Sequence, residues 1–212
     1  MKSYLFDFDG TLVDSMGWWS RKMLAILDKC GTKYPENIIE IITPLGDAGT
    51  ADYFIRELKV PITKEEMFAQ MNAVAVPAYR DEILLKPGVK DYLIRQKENG
   101  HSLNILTASG HNVIEPCLSR NGVLDLFDNI WSTDDFRLTK ANPEIYFAAA
   151  EKLGVPVSDI VFFDDNSGAV STAKKAGLFT VAVFDESGKS FKEKLKKPAD
   201  MYIDTFVGLK EI

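Results

Sequence analysis

Histidine and cysteine are scarce in this chain, with only two residues of each type among 212. Two histidines cannot form a three-histidine metal site, and two cysteines cannot form a disulfide framework or a cysteine-based zinc site. We expect Cys30 and Cys117 to be free, buried thiols, as is usual in the cytoplasm, and we predict a cytoplasmic location. The chemistry of the chain must therefore depend mainly on carboxylates, hydroxyls and lysines.

Long apolar runs and an excess of positive charge are also absent. No uninterrupted apolar segment reaches the roughly 18 residues of a membrane span, and the first residues lack the pattern of a signal peptide. The 25 Lys and Arg residues are outnumbered by 31 Asp and Glu residues, which gives a net charge of −6. An acidic chain lacks the clustered basic residues that bind nucleic-acid phosphates or anionic membranes. We expect neither of these partners, and the sequence does not indicate an oligomeric state.

Short apolar runs alternate with helical patterns along most of the chain. The continuous apolar character of several runs is typical of parallel strands that are covered on both faces. We predict strands at residues 4–8, 103–107, 129–132, 160–164, 180–184 and 201–203, and helices at 89–98, 143–153 and 167–176. This alternation predicts an α/β fold with a doubly wound parallel sheet and right-handed crossovers.

Residues 15–85 interrupt the alternation, because they contain helical patterns but no convincing strand. Thr63-Lys64-Glu65-Glu66 predicts a capping box at the start of one helix. The apolar stripe predicted for that helix comprises Met67, Met71, Val74 and Ala78. About 70 residues are too many for a simple connection. We therefore predict an all-helical cap subdomain at 15–85, inserted into an α/β core formed by 1–14 and 86–212.

Acidic residues follow two of the predicted strands. Asp7 and Asp9 end the first strand and are expected on the same side of it, because side chains alternate along a strand. Asp164 and Asp165 end the fourth strand. The carboxyl ends of parallel strands meet at one edge of the sheet, so these four carboxylates should converge. A hard divalent cation with oxygen ligands would relieve their repulsion, and we predict a Mg²⁺ site.

Groups that can hold an anion are expected at the same edge. Thr107-Ala108-Ser109 offers a hydroxyl followed by backbone N–H groups at the start of a helix, which is a suitable anion cradle. Lys140 precedes the helix that begins near Pro143 and can bring a positive charge to this edge. Carboxylates, a metal ion, a hydroxyl and a lysine together suit phosphoryl transfer, in which a carboxylate attacks and forms an acyl phosphate.

Four segments, taken in order, resemble the motifs of the haloacid dehalogenase superfamily of hydrolases. They are Asp-Phe-Asp-Gly-Thr-Leu-Val-Asp-Ser at 7–15, Leu-Thr-Ala-Ser at 106–109, Lys-Ala-Asn-Pro at 140–143 and Phe-Asp-Asp-Asn at 163–166. The resemblance covers essentially the whole chain, and the helical insertion is similar to the first-position cap of that family. It implies a Rossmann-like core. One departure is Ala141, which stands where the family often has proline.

The resemblance implies catalytic roles for the first two aspartates. Asp7 would be the nucleophile that becomes an aspartyl phosphate, and Asp9 would protonate the leaving oxygen and then activate water. An aspartate at the position of Asp9 is typical of the phosphatase and phosphomutase branches, because an alkoxide leaving group needs a proton. We therefore predict a Mg²⁺-dependent phosphatase that acts on a small phosphorylated metabolite.

The resemblance also implies binding roles. Thr107, Ala108 and Lys140 would bind the phosphoryl group, and Lys140 would also hold the nucleophile in place. The metal ligands would be Asp7, Asp9, Asp164 and Asp165, with Asp9 contributing its backbone carbonyl. Trp18, in the cap, is a possible substrate contact.

Three alternative functions remain open at this point. A phosphomutase of the sugar-phosphate type would use the same residues, although Trp18-Trp19 stands where that branch typically has a histidine. A receiver-like phospho-acceptor domain also clusters aspartates with a hydroxyl and a lysine, but such domains are shorter and carry the phospho-acceptor in mid-chain. A non-catalytic binding protein would not need the complete set of side chains. His111 either reaches the substrate or lies on the surface, and the sequence does not identify the substrate.

Overall fold

The computed structural model describes residues 2–212, and its centre is a six-stranded sheet. The strands are β1 (Ser3–Phe6), β2 (Ser102–Thr107), β3 (Asn129–Ser132), β4 (Ile160–Asp164), β5 (Phe179–Val183) and β6 (Met201–Ile203). Every neighbouring pair is parallel, in the order β3-β2-β1-β4-β5-β6. The predicted doubly wound parallel sheet is therefore confirmed, and β1 lies at its centre.

β1 ends two residues before the predicted end of the strand at Phe8. The chain turns at Gly10, whose φ of 74° lies in the left-handed region, and two of the following backbone N–H groups donate to the carbonyl of Phe8. This turn takes the chain out of the sheet. Asp7 and Asp9 consequently do not occupy alternating positions of a regular strand, contrary to the prediction, and they have different neighbours.

Helices occupy most of the chain between β1 and the rest of the core. They are α1 (Met16–Lys29), α2 (Ile38–Ile42), α3 (Gly46–Arg56) and α4 (Lys64–Asp81), with a 3-10 helix at Thr43–Leu45. The predicted capping box is present at the start of α4, where the N–H of Glu66 donates to the Thr63 hydroxyl and the Glu66 carboxylate accepts from the N–H of Thr63. This region is helical as predicted, and the boundaries of the cap at 15 and 85 remain a proposal.

The cap helices enclose an apolar cluster of their own. Its buried members are Ile26, Leu27, Ile38, Ile42, Ala51, Phe54, Val60, Met67 and Met71. On α4 the predicted stripe is wrong at Val74, which is 41% exposed, whereas Ala75 is buried. The buried face of α4 advances from Met71 to Ala75 by one i, i+4 step, so Val74 turns towards solvent.

Five helices complete the core on the two faces of the sheet. They are α5 (Val89–Glu98), α6 (His111–Arg120), α7 (Glu144–Leu153), α8 (Ser167–Ala176) and α9 (Lys192–Lys196). Alternate residues of the central strands supply two apolar clusters: Tyr4 and Phe163 belong to the cluster beneath α5 and α6, and Leu5 and Phe162 to the cluster beneath α7 and α8. Burying each such side chain contributes about 1.5–3 kcal/mol.

Both cysteines are free, as predicted; Cys117 is buried, and Cys30 is only half-buried. None of the helices within residues 2–212 combines the length and the apolar character needed to cross a bilayer.

The two segments that connect the cap to the core lie side by side. The N–H of Asp14 donates to the carbonyl of Leu84 at 2.9 Å, and the N–H of Lys86 donates to the carbonyl of Leu12 at 2.9 Å. The helical region between β1 and α5 therefore begins and ends next to the carboxyl end of β1.

Candidate active site

Three carboxylates meet at the carboxyl ends of β1 and β4. One oxygen each of Asp7, Asp164 and Asp165 lies within 4.8 Å of the others. The register of the sheet explains this convergence: Phe6 pairs with Phe163, and the N–H of Asp7 donates to the carbonyl of Phe163 at 2.8 Å. The residues that follow each strand therefore emerge next to one another. We call these three side chains the acidic cluster.

Lys140 binds two members of the acidic cluster. Its ammonium donates to Asp7 Oδ1 at 2.5 Å and to Asp164 Oδ2 at 2.7 Å. Burial disfavours the charged ammonium, but the two carboxylates outweigh burial and raise the pKa of Lys140 above its ordinary value. The Tyr146 hydroxyl donates to the backbone carbonyl of Lys140 at 3.0 Å and anchors the loop in which Ala141 replaces the common proline. Lys140 is thus a fixed positive charge against Asp7.

The acidic cluster carries more negative charge than Lys140 neutralises. With all three carboxylates ionised, one ammonium leaves 3 − 1 = 2 excess negative charges. Burial, followed by repulsion from Asp7, raises the pKa of Asp165 well above its ordinary value. Burial also raises the pKa of Asp164, against the opposing effect of Lys140. A divalent cation would balance this charge, and an all-oxygen donor set fits Mg²⁺.

The carboxylate of Asp9 has a separate set of partners, which are three hydroxyl groups. Ser15 donates to Oδ1 at 2.6 Å, Tyr79 also donates to Oδ1, and Ser109 donates to Oδ2. Burial raises the pKa of Asp9, and the three hydroxyl hydrogen bonds oppose this effect. A carboxyl group with a raised pKa beside a second, lysine-bound carboxylate is suited to general acid–base catalysis.

Comparison with known proteins identifies the family. The model of the family described as haloacid dehalogenase-like hydrolase matches residues 4–183. The chain belongs to the haloacid dehalogenase-like hydrolases. The match includes all four motif segments and the helices between β1 and α5.

Individual relatives are distant but cover most of the chain. Hexitol phosphatase B of Escherichia coli (strain K12) is 26% identical over 182 residues, which are 84% of this chain and 82% of that protein. The structure of CbbY from Rhodobacter sphaeroides in complex with xylulose-1,5-bisphosphate has a TM-score of 0.81 and 24% identity, covering 99% of this chain and 96% of that one. β-Phosphoglucomutase from Clostridium difficile has a TM-score of 0.78 and 23% identity, covering 99% and 93%. The two structures share the fold.

The other family motif, at the end of β2, adjoins Asp9. Thr107 is buried, and its hydroxyl oxygen accepts the N–H of Ser109 at 3.2 Å. Since the Ser109 hydroxyl reaches Asp9, the loop that contains Ala108 lies at the same edge of the sheet as the first aspartates. Phosphoryl binding by Thr107, Ala108 and Lys140 stays a prediction.

Trp18 and His111 have partners outside the acidic cluster. Trp18 is 6% exposed and packs against Tyr79, with 6.4 Å between the ring centroids; its contact with a substrate stays a prediction. His111 Nε2 lies 2.9 Å from Asp135, and Nδ1 lies 3.1 Å from Glu115. The hydrogen bond to Asp135, with a smaller effect of Glu115, raises the pKa of His111. His111 therefore belongs to a surface ion-pair group.

Sequence reasoning missed the contacts that two residues, Tyr79 and Lys86, make with the loop that follows β1. Tyr79, near the end of α4, reaches Asp9, and nothing in a helical pattern distinguishes it from an ordinary core tyrosine. Lys86 forms an ion pair with Asp185 at 2.8 Å and also donates to the carbonyl of Gly10. The position of Lys86 directly after the predicted cap is the sequence feature that could have marked it as a residue near the site.

Gly10 is required by the acidic cluster itself. A Cβ at this position would lie 2.7 Å from Asp165 Cγ, and the φ of 74° is strained for any other residue. We expect Gly10→Ala to lower the free energy of unfolding by about 1–2 kcal/mol through the backbone, and to weaken Mg²⁺ activation about tenfold by displacing Asp165. Urea unfolding and Mg²⁺ titration of turnover measure the two effects.

Gly154 provides the matched control for this prediction. It also has a positive φ, of 68°, but no atom lies within 4 Å of its added Cβ. Gly154→Ala should lose similar stability and keep the Mg²⁺ requirement of the wild type. Equal Mg²⁺ titrations for both variants would show that the close approach to Asp165 is unimportant.

Proposed function

We propose that this chain is a Mg²⁺-dependent phosphatase that hydrolyses a small phosphomonoester through an aspartyl phosphate at Asp7. The observation that carries the proposal is that two neighbouring carboxyl groups have different partners and are therefore suited to different roles. Asp7 is held by Lys140 inside the acidic cluster, whereas Asp9 is held by hydroxyls and has a raised pKa. Relatives such as hexitol phosphatase B support phosphate-ester hydrolysis.

The first half-reaction transfers the phosphoryl group to the protein. A carboxylate oxygen of Asp7 attacks phosphorus while the bond from phosphorus to the leaving oxygen breaks. Asp9 gives its proton to that oxygen, so the leaving group departs as an alcohol. Lys140, beside Asp7, offsets the negative charge of the phosphoryl oxygens, and Thr107 and the backbone of Ala108 supply donors to the same group.

The second half-reaction returns the protein to its starting state. Asp9, now a carboxylate, takes a proton from water, whose oxygen attacks the phosphorus of the aspartyl phosphate. The bond from phosphorus to Asp7 breaks, which releases inorganic phosphate. Asp7, Asp164, Asp165 and the carbonyl of Asp9 would hold Mg²⁺, which would stabilise the negative charge of the phosphoryl oxygens. Each group that moves a proton or a bond is thus present at one edge of the sheet.

The main alternative is a phosphomutase, which would pass the phosphoryl group back to a sugar phosphate. The likeness to β-phosphoglucomutase keeps this alternative open. The presence of Trp18 and Trp19 in α1, where the mutase branch typically has a histidine, favours the phosphatase.

The lifetime of the phosphoenzyme separates the two functions. We expect water to hydrolyse the aspartyl phosphate formed from p-nitrophenyl phosphate without any activating bisphosphate, at a rate that added sugar phosphates do not increase. Rapid acid quench followed by mass spectrometry of the peptide containing Asp7 measures its decay. A phosphoenzyme that decays slowly in water, and many times faster when a sugar phosphate is added, would establish the mutase instead.

We further propose that the substrate is a small phosphorylated metabolite, with neither nucleic acid nor membrane as a partner, and that the chain acts in the cytoplasm. The net charge of −6 supports the absence of nucleic-acid and membrane partners. A screen of phosphorylated metabolites at saturating Mg²⁺ identifies the substrate.

A further inference from the structure

A hydrogen-bond chain connects two cap residues to Asp9. The indole N–H of Trp19, on α1, donates to the Tyr79 hydroxyl oxygen at 2.7 Å, and the Tyr79 hydroxyl donates to Asp9 Oδ1. Both aromatic residues come from the helical insertion, whereas Asp9 lies in the loop that follows β1. These two hydrogen bonds therefore connect the cap with the carboxyl group that gives and takes the proton in the proposed reaction.

The direction of each hydrogen bond in this chain is determined by chemistry. An indole N–H can only donate, so the oxygen of Tyr79 accepts from Trp19 and directs its single hydrogen at Asp9. A tyrosine hydroxyl has an ordinary pKa of about 10, so it keeps its hydrogen at neutral pH. Asp9 Oδ1 consequently always faces a donor.

The two oxygens of Asp9 therefore differ. Oδ1 is the acceptor for Tyr79 and for Ser15. Oδ2 faces only the Ser109 hydroxyl among the hydrogen-bond partners in the described part of the chain. A serine hydroxyl can donate or accept, and it has no fixed donor behind it here, so it tolerates a proton on Oδ2. A proton on Oδ1 would instead meet the Tyr79 hydrogen.

The aromatic ring of Tyr79 is held on several sides. Tyr79 is fully buried, and its ring stacks on Phe8 with 5.9 Å between centroids. The rings of Trp18 and Trp19 lie 6.4 Å and 6.3 Å from it. The packing fixes the position of the hydroxyl relative to the motif loop, because Phe8 is the residue between Asp7 and Asp9.

We propose that Tyr79, oriented by Trp19, is a positioning residue that confines the acidic proton of Asp9 to Oδ2 and directs that oxygen to the leaving group. This inference rests on the proposed phosphatase function. As the bond from phosphorus to the leaving oxygen breaks, the proton moves from Oδ2 to that oxygen, and Tyr79 retains its own. Tyr79 thus acts through Asp9 and does not touch the substrate.

The test compares two substrates that differ mainly in their need for a proton. p-Nitrophenoxide leaves readily without one, whereas phenoxide is a poorer leaving group. In Tyr79→Phe we expect kcat/KM to fall about tenfold or more for phenyl phosphate and about threefold or less for p-nitrophenyl phosphate, as partial loss of general acid catalysis requires. Because kcat/KM reports the first half-reaction, hydrolysis of the phosphoenzyme does not affect the comparison.

Two further variants keep the test decisive. Trp19→Phe removes only the N–H that orients Tyr79 and should shift the ratio of the two kcat/KM values in the same direction, by a smaller factor; it serves alone if Tyr79→Phe does not fold. Tyr92→Phe is the matched control, because Tyr92 is a buried tyrosine whose hydroxyl has no hydrogen-bond partner within residues 2–212. Its ratio should equal that of the wild type.

The outcomes separate this inference from the proposed function. An active wild type with unchanged ratios in Tyr79→Phe and Trp19→Phe would overturn the role of Tyr79 and leave the phosphatase intact. A wild type that hydrolyses neither substrate, nor any alkyl phosphate at saturating Mg²⁺, would overturn both. Equal losses for the two substrates would show that Tyr79 is only structural.

Discussion

Replacing Asp7 by Asn should reduce phosphatase turnover by at least about 10⁴-fold, the size of effect seen when a covalent nucleophile is removed from an enzyme. An amide has no anionic oxygen to attack phosphorus, so no aspartyl phosphate can form. The fold should survive, since the amide oxygen can still accept from Lys140, and the excess charge of the acidic cluster falls from two to one. Steady-state assays and acid-quench trapping measure the loss, and circular dichroism checks the fold.

Asp159→Asn makes the same chemical change away from the site. Asp159 is exposed and directly precedes β4, at the opposite end of that strand from Asp164. The Asp159→Asn variant should hydrolyse substrate at the rate of the wild type. If Asp7→Asn retained substantial activity while it remained folded, the covalent route would be refuted. Among the described residues, the other carboxylate that Lys140 binds belongs to the deeply buried Asp164.

Removal of the metal should have an effect of similar size. EDTA is expected to abolish turnover, and Mg²⁺ in excess is expected to restore it. When its three carboxylates are ionised, the acidic cluster has two uncompensated negative charges, and a substrate phosphate would add more to the same place. Without a divalent cation, approach of the phosphate to Asp7 is opposed by charge repulsion at low local dielectric.

A thermal measurement separates metal binding from catalysis. Mg²⁺ should raise the melting temperature of the wild type, because a ligand that binds only the folded state stabilises it by mass action. Asp165→Asn should lose most of this stabilisation, whereas Asp125→Asn, at an exposed site, should retain it. Turnover that persists after exhaustive chelation would contradict the proposed role of the acidic cluster.

The sequence predicted the sheet and the core helices because these depend on local patterns. Continuous apolar runs indicate strands buried on two faces, and a glycine that can adopt a positive φ marks the end of a helix. Gly154 and Gly177 both have this conformation and follow α7 and α8. The carboxylates at the ends of β1 and β4 could be placed together because parallel strands share one edge.

What the sequence did not predict depends on contacts between distant segments. The early end of β1 follows from the turn at Gly10, where the backbone closes on Asp165. Tyr79 looks like any core residue of α4 until the helix is seen against the loop after β1. Val74 fits the 3.6-residue periodicity equally well, yet it is exposed. The prediction failed because the sequence does not show which side of α4 faces the apolar cluster of the cap.

The salt bridge between Asp7 and Lys140 joins positions 133 residues apart, and β4 completes the cluster later still. During synthesis on the ribosome, therefore, the first half of the chain contains Asp7 without the lysine that binds it. If Asp7 is the nucleophile, a chain truncated before β4 would lack both Asp164 and Asp165 and should not turn over substrate.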